Sequence, residues 1–134
     1  MKRRHALLSV CTLVTSAGCL GVGFLGPTES RLAWVWLRND RDEPYEVTVV
    51  VEDNGETVLS ESYELGTGPD TANIHVDNPV EGTGQYVVCT TMDGETLEVD
   101  TTDVVDGDEN CIGVRFSLLD NGSVDYWTKS MEQC

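Results

Sequence analysis

The chain has 134 residues, of which 24 are Asp or Glu and only 8 are Lys or Arg, for a formal net charge of −16 at pH 7. So acidic a surface repels phosphate backbones and anionic lipid headgroups, which excludes a nucleic-acid partner. The length leaves room for one domain with one core and not for two.

At the N-terminus, Lys2, Arg3 and Arg4 form a basic start, residues 6–14 a short apolar stretch, and Ala17-Gly18 a pair of small residues ahead of Cys19. This arrangement resembles a lipoprotein export signal, with cleavage before Cys19 and a lipid attached to that cysteine. Ser16 stands where bacterial lipoboxes usually carry Leu or Val. Arg3-Arg4 ahead of Leu7-Leu8 also resembles a twin-arginine signal, which implies export of a folded domain. The competing expectation is an uncleaved anchor, because residues 6–26 carry no charge and are long enough to cross a bilayer. Under either anchored reading the basic start stays inside and the rest lies outside. The expected organisation is a signal peptide over 1–18, a lipidated cysteine and glycine-rich tether over 19–30, and a folded domain over 31–134.

Loss of residues 1–18 removes three of the eight basic residues and none of the 24 acidic ones, and leaves Lys129 as the remaining lysine. A chain so charged repels itself at low salt and suits molar salt, where the Debye length falls to about 3 Å. The abundance of Asp, Glu, Thr and Val with almost no Lys resembles secreted proteins of extremely halophilic archaea.

From Arg31 onward, short β-branched and aromatic runs alternate with Gly, Asn, Asp and Pro, and no apolar stripe of helical period is long enough for a helix. The runs predict strands over 31–38, 45–52, 56–63, 71–76, 85–91, 95–101, 111–119 and 123–129, an all-β antiparallel sandwich of about eight strands with an added C-terminal hairpin. Loop lengths follow from which register sets apolar residues opposite one another. At Asp53-Asn54-Gly55 a three-residue loop pairs Val49 with Leu59 and Tyr45 with Tyr63. A two-residue loop at Asp93-Gly94 pairs Val88 with Val99 and Thr90 with Leu97, leaving Cys89 opposite Glu98. At Asp120-Asn121-Gly122 a three-residue loop pairs Leu118 with Val124 and Phe116 with Tyr126, and puts Gly122 in the left-handed position. Arg115 then falls opposite Trp127, in reach of a cation–π contact.

Val35-Trp36-Leu37-Arg38-Asn39, Asp42-Glu43-Pro44-Tyr45-Glu46-Val47-Thr48-Val49, Gly55-Glu56-Thr57-Val58 and Gly84-Gln85-Tyr86-Val87-Val88 together resemble the Ig-like domains of haloarchaeal surface lipoproteins. The resemblance covers roughly residues 31–101. It implies a fibronectin-like module whose strand ending at Asn39 lies in one sheet, while the next two strands and the Gly-x-Tyr strand build the other. It also implies an exported location, and a cysteine before a late hairpin with another at the C-terminus, matched by Cys111 and Cys134.

Three cysteines remain beyond Cys19 in an oxidising compartment. The last hairpin's register sets Cys111 opposite Met131 and so within reach of Cys134; Cys89–Cys111 is the alternative pairing. Cysteine–histidine catalysis needs a base, and the one histidine beyond the signal, His75, alternates with Ile74 and Val76 as a solvent-facing strand residue. No Gly-x-Ser-x-Gly elbow occurs, so neither an enzyme nor a cofactor is expected. Asp106, Asp108 and Asn110 begin a calcium-loop pattern, to which Asp103 nearby could add a ligand, that fails where Cys111 replaces glycine and Ser117 the bidentate Glu, so a solvated acidic loop is the expectation and calcium the alternative. Asn121-Gly122-Ser123 is a turn signal first and a glycosylation sequon second. Trp34 and Trp36 share one strand face with Leu32. If Val35 and Leu37 face the core, the tryptophans face outward and can stack on a glycan or grip a protein, unless the C-terminal hairpin covers them. The reading is a lipid-anchored, extracellular, non-catalytic binding or structural module, with a solute- or calcium-binding lipoprotein as the alternative.

Overall fold

The computed structural model describes residues 28–134, so the signal, the lipid-attachment residue Cys19 and most of the tether lie outside the described residues. Nine strands follow in order: β1 (Ser30–Asn39), β2 (Tyr45–Asp53), β3 (Glu56–Leu65), β4 (Asn73–Asp77), β5 (Thr83–Gly84), β6 (Tyr86–Met92), β7 (Glu95–Asp100), β8 (Cys111–Leu118) and β9 (Val124–Met131), with one 3-10 turn at Thr101–Asp103. They form a two-sheet sandwich. One sheet runs β4-β1-β8-β9 with β5 against the start of β1, and the other runs β3-β2-β6-β7. The division places β1 apart from β2, β3 and the Gly-x-Tyr strand β6, as expected. Among the described residues no helix is long and apolar enough to cross a membrane.

The sandwich and its C-terminal β8–β9 hairpin are as expected, and one pairing departs from antiparallel. β1 and β8 pair in parallel, so one sheet is mixed. β8 is a central strand of it, buried at every position but Arg115. The reason is the long 101–110 connection after β7, which carries the chain across to the opposite sheet and lets β8 lie along β1.

Two hairpins have the predicted registers. Val88 faces Val99, Thr90 faces Leu97 and Cys89 faces Glu98 across Asp93 and Gly94, whose φ values of 51° and 78° suit the tight turn that matches strand twist. Leu118 faces Val124, Phe116 faces Tyr126 and Cys111 faces Met131, with Gly122 at φ 93°. The β2–β3 hairpin differs. Its turn is two residues long, Asn54 (φ 52°) and Gly55 (φ 92°), and a bulge between Val51 and Glu52 on one strand and Leu59 and Thr57 on the other accommodates Val58. Val47 therefore faces Tyr63 and Val51 faces Leu59, a slide of two residues from the expected register that keeps the same side chains on the inner face.

The core between the sheets is built from Val35, Leu37, Val47, Val49, Val51, Leu65, Tyr86, Val88, Met92, Ile112, Val114, Phe116 and Leu118, all at most 2% exposed. Leu32 belongs to it as well, contrary to the expectation that it shares a face with the tryptophans. A bulge at Ala33 shifts the β1–β8 register between Leu32 and Trp34, so the alternation reverses there. Cys111 and Cys134 are joined in a disulfide with Cα atoms 5.4 Å apart, closing the open end of the β8–β9 hairpin in place of the alternative Cys89–Cys111 bridge. Cys89 lies in the other sheet, buried on its outer side with Val50 and Val87.

Polar groups fasten the sandwich ends. Buried Asn39 donates to the carbonyls of Glu43 (2.8 Å) and Gly66 (2.9 Å) and accepts from the Arg41 amide (2.9 Å). Arg41 donates to Leu119 O at 2.8 Å, Ser123 O at 3.0 Å and the Asp93 carboxylate at 2.8 Å, linking the β1–β2 loop to both late hairpin turns. Burial pulls its guanidinium down, but hydrogen bonds to Asp93 and Tyr45 outweigh that and hold it above the ordinary arginine value.

Candidate functional site: the tryptophan face

Strand alternation sends Val35 and Leu37 into the core and turns Trp34 and Trp36 to the outer face of the β4-β1-β8-β9 sheet. The C-terminal hairpin does not cover that face. It extends the sheet sideways and brings its own outer residues into line with the tryptophans. Along one row of the sheet, His75 of β4 pairs with Trp36, Trp36 with Arg115 of β8, and Arg115 with Trp127 of β9. Cross-strand neighbours on one face are the contacts that stabilise a sheet, and each step of this row is one.

The Arg115 guanidinium carbon lies 5.2 Å from the Trp36 ring centre and 5.1 Å from that of Trp127, so the cation is held between two aromatic rings. His75 sits 4.9 Å from Trp36 and 5.8 Å from Trp34. Trp34 and Trp127 are near-parallel, 6.5 Å apart with 23° between their planes. They come together because Gly113 lies between them in the adjoining row: any Cβ there would overlap the Trp34 indole. Trp36 donates its indole N–H to Asn73 Oδ1 at 2.8 Å, which fixes the ring. The outcome is an aromatic cluster holding all three tryptophans of the chain, with Trp127 45% exposed. The same strand face carries Arg38 and Lys129, the latter opposite Gly113.

The sequence made Trp34 and Trp36 an outward pair only on the condition that Val35 and Leu37 face the core, and it set Arg115 opposite Trp127 within reach of a cation–π contact. That the two pairs form one cluster could not be read there, and His75, solvent-facing as expected, is part of it.

The acidic loop behaves otherwise. Asp106 and Glu109 close a turn through reciprocal backbone hydrogen bonds of 3.2 and 2.9 Å, with Asp106 and Asp108 exposed. Asp103 ends the 3-10 turn, where desolvation and then Asp100 push its carboxyl above the ordinary aspartate value. Asn110 accepts the Arg31 amide through its backbone carbonyl at 2.8 Å. Among the described residues no three His, Cys, Asp or Glu side chains are gathered to hold a metal ion, so Asp103, Asp106 and Asp108 are not brought together as a ligand set. At the hairpin tip, Asn121 Oδ1 accepts from the Ser123 amide at 3.0 Å and the Ser123 hydroxyl at 2.6 Å, which is turn chemistry.

Compared with known proteins, the chain matches no family model and no curated protein.

Proposed function

We propose that the protein is a non-catalytic binding module of the cell surface, exported, held at the outer face of the membrane by a lipid on Cys19, and presenting the tryptophan face to an extracellular partner. The gathering of Trp34, Trp36 and Trp127 around Arg115 on an exposed sheet face carries the binding half of this reading. Large aromatic residues and arginine are the side chains that dominate contact energies. The basic start, apolar stretch and Ala17-Gly18-Cys19 support the anchor, and the acidic composition supports a haloarchaeal surface working in molar salt.

An Ig-like identity for the sandwich is part of the same proposal. It is supported by the Tyr86 hydroxyl, which donates to the carbonyls of Glu81 and Gly82, both at 3.0 Å. A tyrosine at the start of a strand reaching back to backbone a few residues upstream resembles the tyrosine corner of Ig domains.

Protease treatment of intact cells tests the proposal. The chain is expected to be digested while a cytoplasmic marker survives, and to carry a lipid in membrane extracts that Cys19→Ser abolishes. Protection from protease, or a lipid still present on the Cys19→Ser variant, would overturn it.

A further inference from the structure

We propose that the free edge of β9 joins a second copy of this chain, the two strands running antiparallel about a two-fold axis at Trp127. The inference goes beyond the reading above and needs neither export nor the lipid. Its first support is the edge itself. β9 ends the β4-β1-β8-β9 sheet. Tyr126 and Trp127, adjacent on it and so turned to opposite faces, are 46% and 45% exposed, two of the three exposed large apolar side chains among the described residues. A strand edge with unpaired backbone groups is a template for a further strand, and chains commonly guard it with charge or keep it short. The other edges are protected in that way. β3 carries Glu56, Glu61 and Glu64 and β7 carries Glu95 and Glu98, which repel a second acidic copy, and β4 is only five residues long.

The second support is the direction of the backbone groups. The Leu119 amide donates to Ser123 O at 2.9 Å, and along an antiparallel ladder every second residue exchanges bonds with its partner. Asp125, Trp127 and Lys129 therefore bond to β8, while Val124, Tyr126, Thr128 and Ser130 turn their N–H and C=O outward. The Tyr126 amide agrees, since it donates to the Asp125 carboxylate at 2.8 Å. Side-chain order gives the third. A pairing centred on Trp127 sets that ring against its own copy and Asp125 against Lys129 on both sides of the axis, while Tyr126 exchanges backbone bonds with Thr128 of the second copy. The neighbouring registers that use the same outward groups set Trp127 against Asp125 or against Lys129 and lose both charge pairs. Neither Asp125 nor Lys129 makes an ion pair among the described residues, so both are available. Aromatic and opposite-charge pairs across strands each favour pairing, and one patch that complements itself is what a two-fold dimer requires. Two chains of net −16 repel in dilute salt, but at 1 M that repulsion reaches only about 3 Å.

The test uses the full chain in molar sodium chloride and a detergent matched to the solvent density, its mass followed by sedimentation equilibrium over a concentration series. A monomer–dimer equilibrium is expected, weakened at least about tenfold by Trp127→Ala and by Thr128→Pro. The proline removes an outward N–H and leaves the β8–β9 ladder bonds in place. Trp127 is exposed, so its truncation leaves the core untouched and keeps the test valid if the proline variant folds poorly. Oxidation reads the register. Trp127→Cys, on the axis, is expected to link two chains, whereas Lys129→Cys is not, because a disulfide needs Cα atoms within about 7 Å. A chain that stays monomeric at every concentration, or a dimer that both Trp127→Ala and Thr128→Pro leave equally tight, would overturn the inference. So would crosslinking at position 129 without crosslinking at 127.

Discussion

Gly113 shows how one residue's chemistry sets the platform. Trp34 lies against the β8 backbone because no side chain stands there, and a Cβ would collide with the rigid indole. Gly113→Ala is expected to cost about 1–3 kcal/mol, read by denaturant unfolding, and to shift the near-ultraviolet tryptophan signal; an unchanged signal would mean that the ring is not seated there. Arg41 is the corresponding residue for stability. With three hydrogen bonds joining three loops, Arg41→Ala is expected to lose about 2 kcal/mol, whereas Arg38→Ala, whose partner Asp40 is a local surface residue, should lose well under 1 kcal/mol. Glu98 acts in the opposite sense. Its carboxyl is pushed above the ordinary glutamate value by burial first, then by Glu52 and Asp100. The fold thus favours its protonated form, and the resulting penalty is absent below the unfolded glutamate pKa of about 4.3 and grows as pH rises through the folded value. Glu98→Gln is expected to be more stable than the parent at neutral pH, with the difference vanishing in acid. A variant less stable at neutral pH would contradict this.

Among elements, what was legible in the sequence is what short turns control. Asp93-Gly94 and Asp120-Asn121-Gly122 fix their hairpins because a turn a few residues long, together with one buried face, admits a single register. At β2–β3 the alternation of Val47, Val49 and Val51 identified the inner face, but a slide of two residues keeps that face. Only the bulge at Val58 distinguishes the two registers, and nothing in local patterning marks it. The β1–β8 pairing is beyond such reasoning. Its partners lie far apart in the chain, run parallel and share no turn, so neither the union of Trp36 with Arg115 nor the bulge at Ala33 could be read ahead of the fold. The same holds for half of the candidate site: the two pairs were visible, their junction was not. The Cys111–Cys134 bridge was visible, because it follows from one local hairpin. Its loop of 23 residues makes its removal by Cys134→Ser worth about 2–4 kcal/mol, to be checked by thermal unfolding with and without reductant. A parent unaffected by reductant would show that the bridge contributes nothing.

For the whole molecule, charge decides behaviour. A net −16 on the chain, made more negative still by loss of Lys2, Arg3 and Arg4 with the signal, is a self-repulsion that acts over about 10 Å at 0.1 M salt and about 3 Å at 1 M. The melting temperature is therefore expected to rise steadily from dilute buffer to molar sodium chloride, and a flat or falling curve would contradict adaptation to high salt. The central claim is that this sandwich is displayed outside the cell on a lipid at Cys19. Its most direct test is the intact mass of the chain extracted with detergent from native membranes. The account predicts a chain beginning at Cys19 with the mass of a lipid added; an unlipidated chain still carrying residues 1–18 would contradict it.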